Sequence, residues 1–172
     1  MSRFGFNGLT GAVATLIALG ACSAAPTPAP AQADSASQSD IDWRDVPLAP
    51  GTWIYREDER GSLALYGEPD RDAVFLVRCN MADRRIFFSL AGSMAAGSGT
   101  MAFQATHGTR SYAARNGSGA QPYMVAATGA TDDFLDMIAF SRGRIAITAS
   151  GQSLVAVPNW PEMTRVFEDC RA

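Results

Sequence analysis

The residues that could do chemistry in this chain are few, and their numbers bound what that chemistry could be. There is one histidine, His107, so any Ser/His/Asp relay or histidine-bearing metal site must pass through it. His107-Gly108 reads as a two-residue turn between strands, which makes a surface position the plainer expectation. Asp132, Asp133 and Asp136 place three carboxylates within five residues. That spacing could serve calcium or a glycosidase pair, but it also falls at the start of an expected helix, where acids are favoured by the dipole. Arg110, Tyr112, Arg115 and Tyr123 lie on two expected neighbouring strands and could aim guanidinium and phenol groups at an anionic or sugar-like ligand. An ordinary amphipathic β-surface would show the same residues. All fourteen basic residues are arginines, so Schiff-base chemistry, a phosphate-loop lysine and a Ser/Lys dyad are excluded. The glycines at 92, 97 and 99 and at 117 and 119 form no phosphate fingerprint and lead into no helix. No metal and no cofactor is expected.

The three cysteines are more informative. Cys22 ends a segment with Arg3 at its front, an apolar run from Leu9 to Leu19, and the small residues Gly20 and Ala21. A membrane-spanning helix needs about 20 apolar residues, so this shorter run reads as a cleavable leader, residues 1–21. Leu19-Gly20-Ala21-Cys22 resembles the lipobox of bacterial lipoproteins. That resemblance implies a diacylglyceryl group on the Cys22 thiol and cleavage just before it; Ser23, where an aspartate would imply inner-membrane retention, implies the outer membrane. A simple secretory signal cut near Ala21 or Ala25 is the alternative. If lipid consumes Cys22, Cys79 and Cys170 remain as a pair in an oxidising compartment, and a disulfide is expected.

Residues 22–42 carry prolines at 26, 28 and 30 among Ala, Ser, Gln and Asp, with Ile41 the one large apolar side chain after the cysteine. This composition cannot bury a core and reads as a tether, with an r.m.s. reach on the order of 25 Å. Removing Arg3 with the leader leaves 13 basic against 17 acidic residues, a mature charge of −4. The arginines are scattered among acids, which argues against nucleic acid as a partner. Residues 43–172 are enough for one domain with one core.

Within that domain, Thr52 to Arg56 with Ser62 to Tyr66, and Ala73 to Cys79 with Arg85 to Leu90, read as two hairpins. Gly92 to Gly99 reads as a flexible loop. Thr100 to Thr106 alternates with Met101, Phe103 and Ala105 on one face, and Arg110 to Ala114 and Tyr123 to Ala127 read as further strands. Thr131 is the expected cap of a helix carrying Phe134, Leu135, Ile138 and Ala139 and ended by Gly143. Strands over 144–149 and 153–157 follow. Asn159-Trp160-Pro161-Glu162 then predicts a capped C-terminal helix with Met163, Val166, Phe167 and Cys170 on its inner face and Trp160 packed at its start. The expected fold class is mainly β (α+β): a small antiparallel β-sandwich or barrel-like sheet with two short helices, the second at the C-terminus.

This order of elements, with Asp136 to Arg144 in the middle, resembles a group of uncharacterised proteobacterial envelope proteins and, more distantly, the invasion-associated locus B family of small secreted β-sandwiches. It lacks that family's fuller cysteine pattern, and the resemblance implies no active site. Ser118-Gly119-Ala120-Gln121-Pro122-Tyr123 is similar to the inhibitory Ser-Gly-x-x-Tyr loop of membrane-bound C-type lysozyme inhibitors, with one residue too many. The expectation is a non-enzymatic envelope lipoprotein, bound to the membrane through Cys22, with a binding or structural domain that faces the periplasm or the cell exterior and could bind an envelope protein. The alternatives are an envelope hydrolase using His107 with a serine and a carboxylate, and a lysozyme inhibitor.

Overall fold

The computed structural model describes residues 42–172. The expected leader, Cys22 and nearly all of the expected tether lie outside the described residues. The chain forms β1 (Thr52–Asp58), β2 (Gly61–Gly67), β3 (Phe75–Asn80), β4 (Arg85–Ala91), β5 (Ser98–Ala105), β6 (Gly108–Asn116), β7 (Tyr123–Gly129), α1 (Phe134–Ala139), β8 (Arg144–Ala149), β9 (Val155–Pro158) and α2 (Pro161–Arg171). The nine strands make one antiparallel sheet in the order β1-β2-β3-β4-β7-β6-β5-β8-β9. Both expected hairpins form. Period-two alternation puts Met101, Phe103 and Ala105 of β5 in the core, with Phe75, Val77 and Cys79 of β3 and Ile86, Phe88 and Leu90 of β4.

The sheet is curled into a half-barrel. Strands β4 and β5 are three places apart, about 14 Å in a flat sheet, yet the Phe88 and Phe103 rings lie 4.6 Å apart between centroids. The outermost strands also meet: Trp53 Nε1 on β1 donates to the Pro158 carbonyl at the end of β9 at 2.8 Å, where a flat sheet would separate them by about 38 Å. The segment before β1 lies along the seam. Leu48 bridges Ala156 in parallel, the Ala49 N–H bonds the Ala156 carbonyl at 2.8 Å, and the Tyr66 hydroxyl donates to the Ala49 carbonyl at 2.7 Å. Of the two expected architectures, barrel-like is the one that forms.

The concave face is filled by α2, which packs on β1 to β4. Met163, Val166, Phe167 and Cys170 are all buried, as the i, i+3, i+4, i+7 spacing predicts. Cys79 and Cys170 face each other at disulfide distance, with sulfurs 2.06 Å and Cα atoms 5.4 Å apart. Arg171 then ties this helix to α1, donating to the Ala130 carbonyl at 2.9 Å and to Asp136 at 2.7 Å.

Four local expectations are corrected. The β5–β6 turn is Thr106-His107, because Ala105 pairs with Gly108. The segment after Gly92 is pinned: the Asn116 side chain accepts from the Met94 N–H at 2.8 Å and donates to its carbonyl at 3.0 Å, Met94 is buried, and β5 already begins at Ser98. At α1 the oxygen meeting the free N–H of Phe134 belongs to Asp132, not Thr131. At α2 the cap position is Trp160, without a side-chain cap bond; Asn159 instead donates to the carbonyls of Ala139 and Ser141 at 2.9 and 2.7 Å. Asn159 therefore satisfies the final carbonyl of α1 and one in the loop that follows it, a need that a six-residue helix cannot meet itself.

Candidate functional site

Of the four side chains expected to form a ligand site, only Arg110 and Tyr112 come together. They alternate onto the inner side of β6 and meet Asp132 in the turn after β7. The Asp132 carboxylate accepts from Arg110 Nη1 at 2.8 Å, the Tyr112 hydroxyl at 2.9 Å, the Thr128 hydroxyl, and the Phe134 N–H at 2.9 Å. Arg110 also contacts Asp133 at 2.8 Å, so its charge faces two carboxylates. Burial pushes the Asp132 pKa up, but the bonds from Thr128, Phe134 and Tyr112 and the charge of Arg110 outweigh it and hold the carboxyl below its ordinary value. Burial and the bond to Asp132 raise the Tyr112 phenol well above its usual range. Every lone pair in reach is used, so this cluster fastens α1 to the sheet.

The other two residues point elsewhere. Arg115 is an odd number of residues from Arg110, and on an unbroken strand that puts it on the opposite, convex face. The parity was readable in the sequence. Tyr123 shares the convex side, but its hydroxyl donates to the Ala73 carbonyl at 2.8 Å. That bond also commits the tyrosine of the Ser118 to Tyr123 segment. His107 is exposed at its turn, and the nearby Ser141 hydroxyl is engaged with the Arg144 carbonyl at 2.6 Å and the Thr106 N–H at 3.0 Å. Asp136 pairs with Arg171. Among the described residues no group of three metal-ligating side chains occurs.

The convex face carries a different constellation, spread over strands distant in sequence. The ladder registers line up Ile54, Leu65, Leu76, Ser89 and Val125 in one row, with Arg115 at its end. The adjoining row is Arg56, Leu63, Arg78, Phe87 and Ala127. Ile54 is 42% exposed, and Leu63, Leu65, Leu76, Phe87 and Val125 are half-buried with no element laid over them. Two adjoining hollows of about 380 and 330 Å³ share Phe87 and Val125. Asp58 is tied to Arg78 at 2.8 Å, which with the Arg60 N–H holds its pKa at about 2. Arg85 lies over the Phe87 ring at 5.6 Å. Among the described residues Arg56, Arg85 and Arg115 make no ion pair.

A further groove of about 550 Å³ lies beside α2, lined by Tyr55, Ala139, Asn159, Trp160, Glu162 and Arg165 among others. The single proton of its Tyr55 phenol is shared between the carboxylates of Glu57 at 2.6 Å and Asp169 at 2.7 Å, and the Arg165 guanidinium sits 4.1 Å over the Tyr55 ring. Burial, then these two carboxylates, raise the Tyr55 pKa. Trp160, expected to pack, is 43% exposed, because the cap position turns its side chain away from the core-facing stripe of α2. No family model matches the chain, and comparison with curated proteins and with solved structures finds no match.

Proposed function

We propose that this chain is a bacterial envelope lipoprotein, acylated on Cys22, tethered through residues 23–42 at the outer membrane, whose domain is a non-enzymatic binding module for an envelope protein. The observation that carries the binding reading is the convex sheet face: an uncovered apolar ladder, Ile54 to Val125, framed by Arg56, Arg85 and Arg115. Contiguous apolar surface rimmed by polar groups marks interaction sites, and arginine is enriched in them. The mature chain is acidic overall, so the arginines on this face run against its net charge and select an acidic partner surface. The leader supports the address through its lipobox resemblance.

Two measurements test this. Cys22→Ser should abolish incorporation of labelled fatty acid and release the chain from membranes. A photocrosslinking residue at Leu76 or at Phe87, in intact cells, should capture a protein that the same residue at Glu168, exposed on α2, does not. Equal capture at all three positions, or none at Leu76 and Phe87, would sink the binding reading.

A further inference from the structure

Phe140 and Trp160 are 73% and 43% exposed, and Asn159 gathers them at one end of the half-barrel. Its amide bonds the carbonyls on either side of Phe140, those of Ala139 and Ser141, and Trp160 is the next residue. Ala139, Trp160 and Pro161 line one groove, so the exposed aromatics adjoin further apolar surface. The chain joins the domain close by, alongside β9. Arg144 Nη1 donates to the Val46 carbonyl at 2.7 Å, Arg144 pairs with Pro158, and the Asn159 N–H bonds the Gly143 carbonyl. The segment leading back toward Cys22 therefore meets the domain within an arginine side chain's length of the loop that carries Phe140.

Asp42 lies twenty positions beyond Cys22, about 70 Å if fully extended and about 25 Å r.m.s. for a chain of that composition. An exposed tryptophan and phenylalanine beside the root of a lipid-bearing tether have a bilayer within reach, and aromatic side chains favour the headgroup interface. We propose that Phe140 and Trp160 form a tip that rests the domain on the bilayer holding its own lipid anchor. This rests on the lipoprotein reading above. The charges around the tip, Arg142 and Arg165 against Glu162 and Glu168, balance in number, so the contact is carried by the two aromatic rings and withstands salt, which screens only charge. The convex face stays open to its partner.

The test uses the lipid-modified mature chain in phosphatidylethanolamine/phosphatidylglycerol vesicles with brominated acyl chains. Trp53 is buried in the core and Trp43→Phe removes the third indole, leaving Trp160 to report over a constant background. Its emission should be blue-shifted relative to the Cys22→Ser chain in buffer, and quenched in brominated relative to plain vesicles, at low and high salt. The effect should be lost in Trp43→Phe/Trp160→Phe and weakened by Phe140→Ser, with unchanged thermal transitions because both positions are exposed. Emission identical in brominated and plain vesicles, with the diacylglyceryl mass present on Cys22, overturns the tip. A blue shift that grows with protein density and shows no bromine quenching also overturns it, since a second copy would then cover the aromatics. An unmodified Cys22 overturns the lipoprotein reading and the tip together, and the mass alone distinguishes that case.

Discussion

Asp132 is the side chain on which the β6–β7–α1 corner depends. Removing its carboxylate leaves the Tyr112 and Thr128 hydroxyls and the Phe134 N–H without their acceptor, each half-buried. Asp132→Ala should therefore lower stability by about 1–3 kcal/mol, read by denaturant unfolding at neutral pH. The sign of the pH dependence follows from the direction of the shift. The folded pKa of Asp132 lies below its unfolded value near 3.9, so its contribution is complete above about pH 4 and is lost as pH falls through the folded value. Wild type and Asp132→Asn should differ most at neutral pH and converge in acid; a gap that widens in acid would contradict this assignment. Arg110 belongs to the same corner, with its charge already matched by Asp132 and Asp133.

At the scale of elements, α2 is the plug of the half-barrel, and Cys170 on it stands at disulfide distance from Cys79 on β3, 91 residues away along the chain. A link closing a loop of that length restricts the unfolded chain by an amount worth up to about 4–5 kcal/mol on the chain-entropy account. Cys79→Ser/Cys170→Ser should lose most of that, with the unfolding midpoint matching that of the reduced wild type. Mass measurement with and without reductant checks the pairing itself. The seam between β1 and β9 depends on single bonds. Trp53→Phe keeps an aromatic ring in the core but orphans the Pro158 carbonyl, a cost of about 1–3 kcal/mol, and amide exchange should rise first in β9.

For the whole molecule, the two faces of one curled sheet do different work. The concave side holds the aromatic core and α2; the convex side keeps an apolar ladder that nothing within residues 42–172 covers. Leu76→Glu/Phe87→Glu should leave the circular dichroism spectrum in place, because both side chains point away from the core, while crosslinking to the partner disappears. Ala49→Pro removes the N–H that bonds the Ala156 carbonyl along β9. It should expose that edge, seen as faster exchange in β9 and a raised tendency to associate. An unchanged exchange pattern would mean that the segment before β1 is not what guards the seam.

The sequence by itself determined the elements and their inner faces, because those depend on local periodicity: two for Met101, Phe103 and Ala105, and 3.6 for Met163, Val166, Phe167 and Cys170. The same periodicity brought Cys170 inward toward Cys79. Tertiary structure alone decided the strand order β4-β7-β6-β5-β8, since pairing β4 with β7 depends on contacts more than 30 residues apart along the chain. It alone laid Leu65, Leu76 and Val125 in one row, placed Asn159 on α1 instead of α2, and left Phe140 and Trp160 in the open. Each of these is a relation between segments that no local pattern encodes, which is why the expected ligand cluster dissolved into a structural corner while the exposed faces became visible only in the fold.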